Sequence, residues 1–226
     1  MFTGFTDETV DFMWGIRFNN ERSWFEAHKQ IYLEQFYNPM RDLGDEIYEY
    51  LRELRPDYGL IRKVTRIYRD ARRLHGRGPY KDHLWFSVEQ PVEQWTVKPT
   101  FWFELNPDGW GYGMGYYMPK PVTMAKLRAR IDRDPKPMEK LTRSLNRQTE
   151  FQLFAQEYKK PRSPAPTPEL EPWYKAKSFS IIHEEKLTEE VFSRAIVDRI
   201  KPGFAWLLPF YDYFVTLDGD PDPTAE

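Results

Sequence analysis

Between Gly59 and Pro119 the apolar residues stop recurring at threes and fours and begin to alternate. "KVTRIYRD", "HLWFSVE", "TFWFELN" and "GWGYGMGYYM" carry this period of two. The breaks between them are too short to hold crossover helices, so the runs read as strands of an antiparallel sheet. "NPDG" marks a tight turn between the last two. In the fourth run Gly109, Gly111, Gly113 and Gly115 alternate with Trp110, Tyr112, Met114 and Tyr116, so one face is large and the other bare. Glycine weakens a strand, and four in alternation require close approach by another element or a ligand. A packed helix or a bend in the sheet is the plainer account.

Helical spacing flanks this region. Thr6 is placed to cap a first helix carrying Val10, Met13 and Trp14, and Asn20 to cap a second carrying Trp24, Phe25, His28, Tyr32 and Phe36. Pro39 opens a third segment, with Met40, Leu43, Ile47, Tyr50, Leu51 and Leu54 in register until "RPDYG". After the sheet, "PVTMAKLRARIDRD" and "DPKPMEKLTRSLNR" read as helices. "TEEVFSRAIVDRI" has a cap signal at Thr188 and breaks at Pro202, and "FAWLLPFYDYFV" continues with buried character. The proline-rich "KKPRSPAPTPELEP" is read as a surface connection, because core-forming residues follow at once. The expectation is an α+β fold, an antiparallel sheet of about four to six strands packed with N-terminal and C-terminal helices. Residues 1–217 form one domain and 218–226 an acidic tail expected to fray.

The chain holds 226 residues and no cysteine, which excludes disulfides, thiolate chemistry and Cys-ligated metals. With no basic lead-in to an apolar segment and no apolar run near ~18 residues, the expected location is cytoplasmic and no membrane is expected. Aromatic residues make up 17%, more than a minimal core needs, so some are expected to line a groove or an interface.

Charge is distributed unevenly. From Arg62 to Lys81 eight Lys/Arg stand against Asp70 alone, in a chain of net charge −2. That is a local basic patch on an acidic body. Within "RRLHGRGPYK", Gly76 and Gly78 free the backbone to turn while Arg72, Arg73, Arg77 and Lys81 supply charge-assisted donors suited to phosphate or carboxylate. The competing account is a solvated turn. On an extended strand Arg66 and Asp70 share a face and are read first as a structural ion pair. None of the four histidines (His28, His75, His83, His183) stands at metal-ligand spacing, and no phosphate loop or nucleophile elbow is present, so no metal or cofactor is implied.

Asn19-Asn20-x-Arg22-x-Trp24-Phe25, then Lys29 and Tyr32, "RIYRD" and "GPYKDH", resemble the bacterial and fungal family of domain of unknown function 2461. The resemblance runs on through "PWYKAKSFSI" and "FAWLLPF". It departs in the loop, where members read close to R-F-S-x-D-K-x-P-Y-K and this chain reads "RRLHGRGPYK". The resemblance implies a single α+β domain and brings no activity with it. It also places Asn20 and Arg22 in one signature with Arg66, Arg69, Asp70, Tyr80 and Lys81.

Three functions compete. The first is a small-ligand protein, with catalysis left open, whose cationic and aromatic-lined site takes a phosphate- or carboxylate-bearing molecule. Arg66, Arg69, Arg72 and Lys81 would hold the anion with Tyr80, Asn20 and Arg22 beside it, and Asp70 or His83 would move a proton. The second is an interaction module whose basic loop meets an acidic protein partner. Nucleic-acid binding ranks third, because the rest of the chain is acidic.

Overall fold

The computed structural model describes residues 1–74, 76–92, 98–159 and 163–225, with Arg73 described by its backbone alone. His75 of the basic loop and residues 160–162 of the proline-rich connection lie outside the described residues.

Helix α1 (Asp7–Phe18) begins where Thr6 places it. The Thr6 hydroxyl accepts from the Thr9 amide at 3.3 Å and the Thr9 hydroxyl accepts from the Thr6 amide at 3.0 Å, a closed capping box. Helix α2 (Arg22–Ile31) runs through a π-helical turn (Tyr32–Tyr37) into α3 (Asn38–Leu54). Pro39, which has no N–H to give, sits where the wider bonding pattern closes back to α. The π turn keeps Tyr32 and Phe36 buried with Phe25, and α3 buries Met40, Leu43, Ile47 and Leu51.

Six strands follow the helices: β1 (Ile61–Val64), β2 (Leu84–Glu89), β3 (Thr100–Asn106), β4 (Gly109–Tyr116), β5 (Gln152–Glu157) and β6 (Ala176–Glu185). Helices α4 (Pro121–Arg133) and α5 (Lys136–Asn146) follow β4, short α6 (Glu171–Lys175) leads into β6, and α7 (Ala195–Val215) comes last. The sheet is antiparallel in the order β1-β2-β3-β4-β6-β5, so the fold is α+β as expected. The Asn106 side chain accepts from the amides of Asp108 and Gly109, closing the turn that "NPDG" predicts.

The bare face of β4 is occupied by backbone. A Cβ on Gly113 would lie 2.2 Å from the Ile181 carbonyl oxygen, one on Gly115 2.3 Å from that of Phe179, and one on Gly109 2.3 Å from that of Glu185. The neighbouring strand β6 therefore accounts for these three glycines.

The chain divides into two compact units. The first comprises Met1–Val88, Trp102–Tyr112 and Glu184–Ala205, and the second Glu89–Phe101, Gly113–His183 and Trp206–Glu226. The core of the first holds a run of stacked rings, Phe86 on Phe103 at 5.6 Å, Phe103 on Trp110 at 6.0 Å and Trp110 on Tyr112 at 5.9 Å. Gly203 makes room for this run, since a Cβ there would stand 2.1 Å from the Tyr112 hydroxyl. In the second, Tyr211 stacks on Phe101 at 4.4 Å, and the buried Tyr116 hydroxyl donates to the Phe214 carbonyl at 2.8 Å.

Two local expectations need correction. Helix α7 starts at Ala195, not after Thr188, and continues through Pro202. Burial of Ile196, Ile200, Phe204, Leu207, Tyr211 and Phe214 outweighs the loss of about 3 kcal/mol that an interior proline costs. Helix α2 is not capped by Asn20, because Glu21 holds the cap position and the Asn20 amide is committed elsewhere. At the start of the acidic tail Asp218 pairs with Lys98 at 2.8 Å and Asp220 with Arg130 at 2.6 Å.

Gly113→Ala is expected to lower stability by about 2–4 kcal/mol, because strand backbone cannot yield as a side chain does. Gly219→Ala, with nothing within 4 Å, should change it little. Urea unfolding of the two variants checks this, and equal midpoints would contradict the close approach.

Candidate functional site

Strand β1 ends at Val64, before the residues that alternation carried forward. The chain then forms a short ribbon with itself. The Lys81 amide donates to the Ile67 carbonyl at 2.7 Å and the Arg69 amide to the Pro79 carbonyl at 2.8 Å, on either side of a Tyr68–Tyr80 bridge. The basic loop is the far end of this ribbon.

Asn20 grips the ribbon from the start of the helical region. Its side-chain oxygen accepts from the Tyr80 amide at 2.9 Å and its NH₂ donates to the Tyr80 carbonyl at 2.9 Å. Arg69 Nε donates to the same carbonyl at 2.8 Å. Gly78 is required here, since a Cβ would fall 2.2 Å from the Asn20 oxygen. The Tyr80 ring turns inward, stacks on Phe25 at 4.4 Å and is 3% exposed. Tyr80 therefore anchors the loop from the core.

The loop's cations fall into two sets. Asp70 is exposed, accepts the Arg72 amide at 3.0 Å to cap the turn Ala71–Arg73, and takes the Arg72 guanidinium through two bonds of 3.0 and 2.8 Å. The expected Arg66–Asp70 pair is thus replaced by Asp70–Arg72, because the strand that would have aligned the first two stops short of them. Arg72, 86% exposed, stands apart from the inner set. That inner set is Arg66, Arg69 and Lys81, none of which forms an ion pair among the described residues. Burial pushes the Lys81 ammonium down to about 8, Arg69 pushes further, Glu104 opposes, and Arg66 adds to the depression. Burial lowers Arg69 as well, with Arg77 adding to it. Arg22 is exposed and acts on Tyr80 only through its charge.

Beside Lys81, Asp82 lies between two donors. His83 Nδ1 stands 3.0 Å from one carboxylate oxygen and Arg17 Nε bonds the other. The His83 bond first, and Arg17 next, hold the Asp82 carboxyl well below the usual range. Arg17 also reaches Asp108 at 2.8 Å and lies over the Trp14 ring at 4.8 Å. With Asp82 ionised, His83 Nδ1 is the donor of the bond between them.

These groups border a cleft of about 670 Å³ in the first unit, lined among others by Arg17, Asp82, His83, Trp102, Glu104 and Asp108. Trp102 and Trp110 are its aromatic lining residues, and acidic side chains outnumber basic ones. The cations and the cleft are different features, linked by the electrostatic reach of Glu104 toward Lys81.

Of the residues singled out from sequence, Arg66 and Arg69 act electrostatically on Lys81, and His83 lines the cleft. Asn20 and Tyr80 serve the fold, and Arg22, Asp70 and Arg72 lie outside the cluster. Sequence reasoning passed over Arg17, Asp82 and Glu104. Asp82 stands inside "GPYKDH", and Glu104 shares the open face of β3 with Trp102 and Asn106, so alternation held the signal for both. Among the described residues no group of three His, Asp or Glu is placed to hold a metal ion, and no helix is long and apolar enough to cross a membrane.

Lys81 carries a stability consequence whose sign is definite. Its folded pKa is about 8 against 10.5 for the free side chain, so between those values the unfolded chain binds more protons. The penalty is full below about 8 and is relieved as pH rises toward 10.5. Lys81→Met should therefore stabilise the protein by about 1–3 kcal/mol at neutral pH, with the gain shrinking as pH rises through that window. Thermal unfolding of both proteins across pH checks this, and a gain independent of pH would contradict it.

The model of the family described as conserved hypothetical protein (DUF2461) matches residues 8–213, so the chain belongs to that family. A comparison with curated proteins found no match.

Proposed function

We propose that this DUF2461 protein binds a small molecule bearing a phosphate or a carboxylate on Arg66, Arg69 and Lys81. The observation that carries the reading is a set of three cations with no ion pair among the described residues, of which Lys81 is depressed by burial, Arg69 and Arg66, and Arg69 by burial and Arg77. Arg69 and Lys81 are partly buried and Arg66 is exposed; like charges acting on one another repel, and an anion bound by them relieves that cost. The loop geometry supports the reading, because Asn20 and Arg69 hold the Tyr80 backbone and so set the position of Lys81. Arg69 spends Nε on the Tyr80 carbonyl, and the rest of its guanidinium is the part offered to the ligand. His83, turned toward the cleft by Asp82, is the proton-transfer group of this reading.

Inorganic phosphate should raise the melting temperature of the wild type, by about 2.7 kcal/mol of stability at a hundred times its Kd. Lys81→Met and Arg66→Ala should lose most of the effect, while Arg72→Ala, outside the cluster, should keep it. Binding should weaken as pH rises past about 8, where free Lys81 loses its proton. An equal phosphate response in wild type and Lys81→Met would overturn the reading.

A further inference from the structure

Of the alternating glycines of β4, strand β6 accounts for Gly109, Gly113 and Gly115. The fourth, Gly111, lines the cleft of the first unit, as do Trp102, Glu104 and Asn106. The hairpin explains this grouping. Strand β3 ends at Asn106 and β4 starts at Gly109, so the short turn sets Gly109 opposite Asn106, and alternation sets Gly111 opposite Glu104. A side chain at position 111 would rise beside Glu104 into the cleft, and its absence leaves a floor of bare main chain.

Two side chains at this floor lack the partners that their kind have elsewhere in the protein. Trp14, Trp24, Trp110, Trp173 and Trp206 each meet another ring, whereas half-buried Trp102 makes no ring contact among the described residues. Glu104, also half-buried, forms no ion pair among the described residues. The Asn106 amide reaches it only at 3.4 Å, and Lys81 acts on it through charge alone. Asp82 and Asp108, by contrast, are both bound by Arg17. The other lining carboxylates, Glu184 and Glu185, are exposed and share the cleft with Lys186, so its surplus charge is negative.

We propose that this cleft binds an aliphatic amine, with the ammonium on the Glu104 carboxylate, the adjoining methylenes against the Trp102 ring and the body of the ligand on the main chain at Gly111. Each part of the site answers one part of such a ligand. A half-buried carboxylate without a counter-ion favours a cation that brings N–H donors. An indole face attracts a cation, and its area shelters methylenes from water. The glycine admits a body that a methyl group at that position would push away. A divalent metal ion fits less well, because no group of three carboxylate or imidazole side chains among the described residues is placed to hold one. The sign of the lining charge rejects an anion, so this site is separate from the one on Arg66, Arg69 and Lys81 and does not depend on it.

The test is titration calorimetry of the intact chain at neutral pH with putrescine, a four-carbon diamine, and with butanediol, the uncharged molecule of the same length. Putrescine should bind saturably and butanediol should not. Glu104→Gln, which keeps the shape and removes the charge, should weaken putrescine binding about tenfold or more. Trp102→Leu should weaken it about fivefold. Gly111→Ala should weaken it as well, whereas Gly219→Ala should leave it unchanged. No saturable binding, or equal affinity in wild type and Glu104→Gln, overturns the inference. Butanediol binding as tightly as putrescine overturns the assignment of a cationic ligand, and displacement of putrescine by equimolar Mg²⁺ overturns it in favour of a metal site.

Discussion

The backbone of Tyr80 is where the loop chemistry is anchored. Its carbonyl receives donors from Asn20 and from Arg69, and its amide donates back to Asn20. A net hydrogen bond contributes about 1 kcal/mol, and one from a charged donor about 1.5–3 kcal/mol, so the three bonds form a substantial local lock. The lock works only because Gly78 leaves room for the Asn20 side chain and because Phe25 receives the Tyr80 ring. Residues drawn from the first helices, from the segment after β1 and from the end of the loop thus meet at one peptide unit. Arg69 and Lys81 inherit their positions from it.

Charge is sorted around this lock in three steps. Outermost, Asp70 neutralises Arg72 at the surface, where the pair contributes little to stability. Next to it, exposed Arg66 and partly buried Arg69 both act on Lys81, with Glu104 as the opposing charge. Beyond Lys81 the sign reverses, since Asp82 is held ionised by His83 and Arg17 at the border of an acidic cleft. Adjacent residues in the chain, Lys81 and Asp82, therefore have opposite surroundings. Lys81 is pushed toward its neutral form and Asp82 is held firmly in its charged one.

Sequence was legible where structure is decided locally. The Thr6 cap, the alternation of β3 and the "NPDG" turn depend on residues within a few positions, and each formed as read. Asn20 was misread because its partner is far along the chain, and a side chain suited to capping is equally suited to clamping a distant backbone. The Arg66–Asp70 pair failed because alternation was extended past Val64, where pairing with β2 stops supporting it. Strand β5, half exposed along "QLFAQE", has too weak a pattern to declare itself before β6 is placed beside it. The cluster at Lys81 was visible as a charge excess, but which of its cations are already neutralised depends on contacts that only folding creates.

The π-helical turn at Tyr32–Tyr37 makes chain length a question of facing. One residue advances an α-helix by about 100°, so a single deletion that returned this turn to α geometry would swing everything after it by roughly a quarter of a circle. The stripe of Met40, Leu43, Ile47 and Leu51 would leave the core together. Substitutions in the turn leave the register intact, whereas insertions and deletions do not. Among relatives, length should therefore be kept more strictly across these six residues than identity, and gaps should gather in the loop between Asp70 and Gly78.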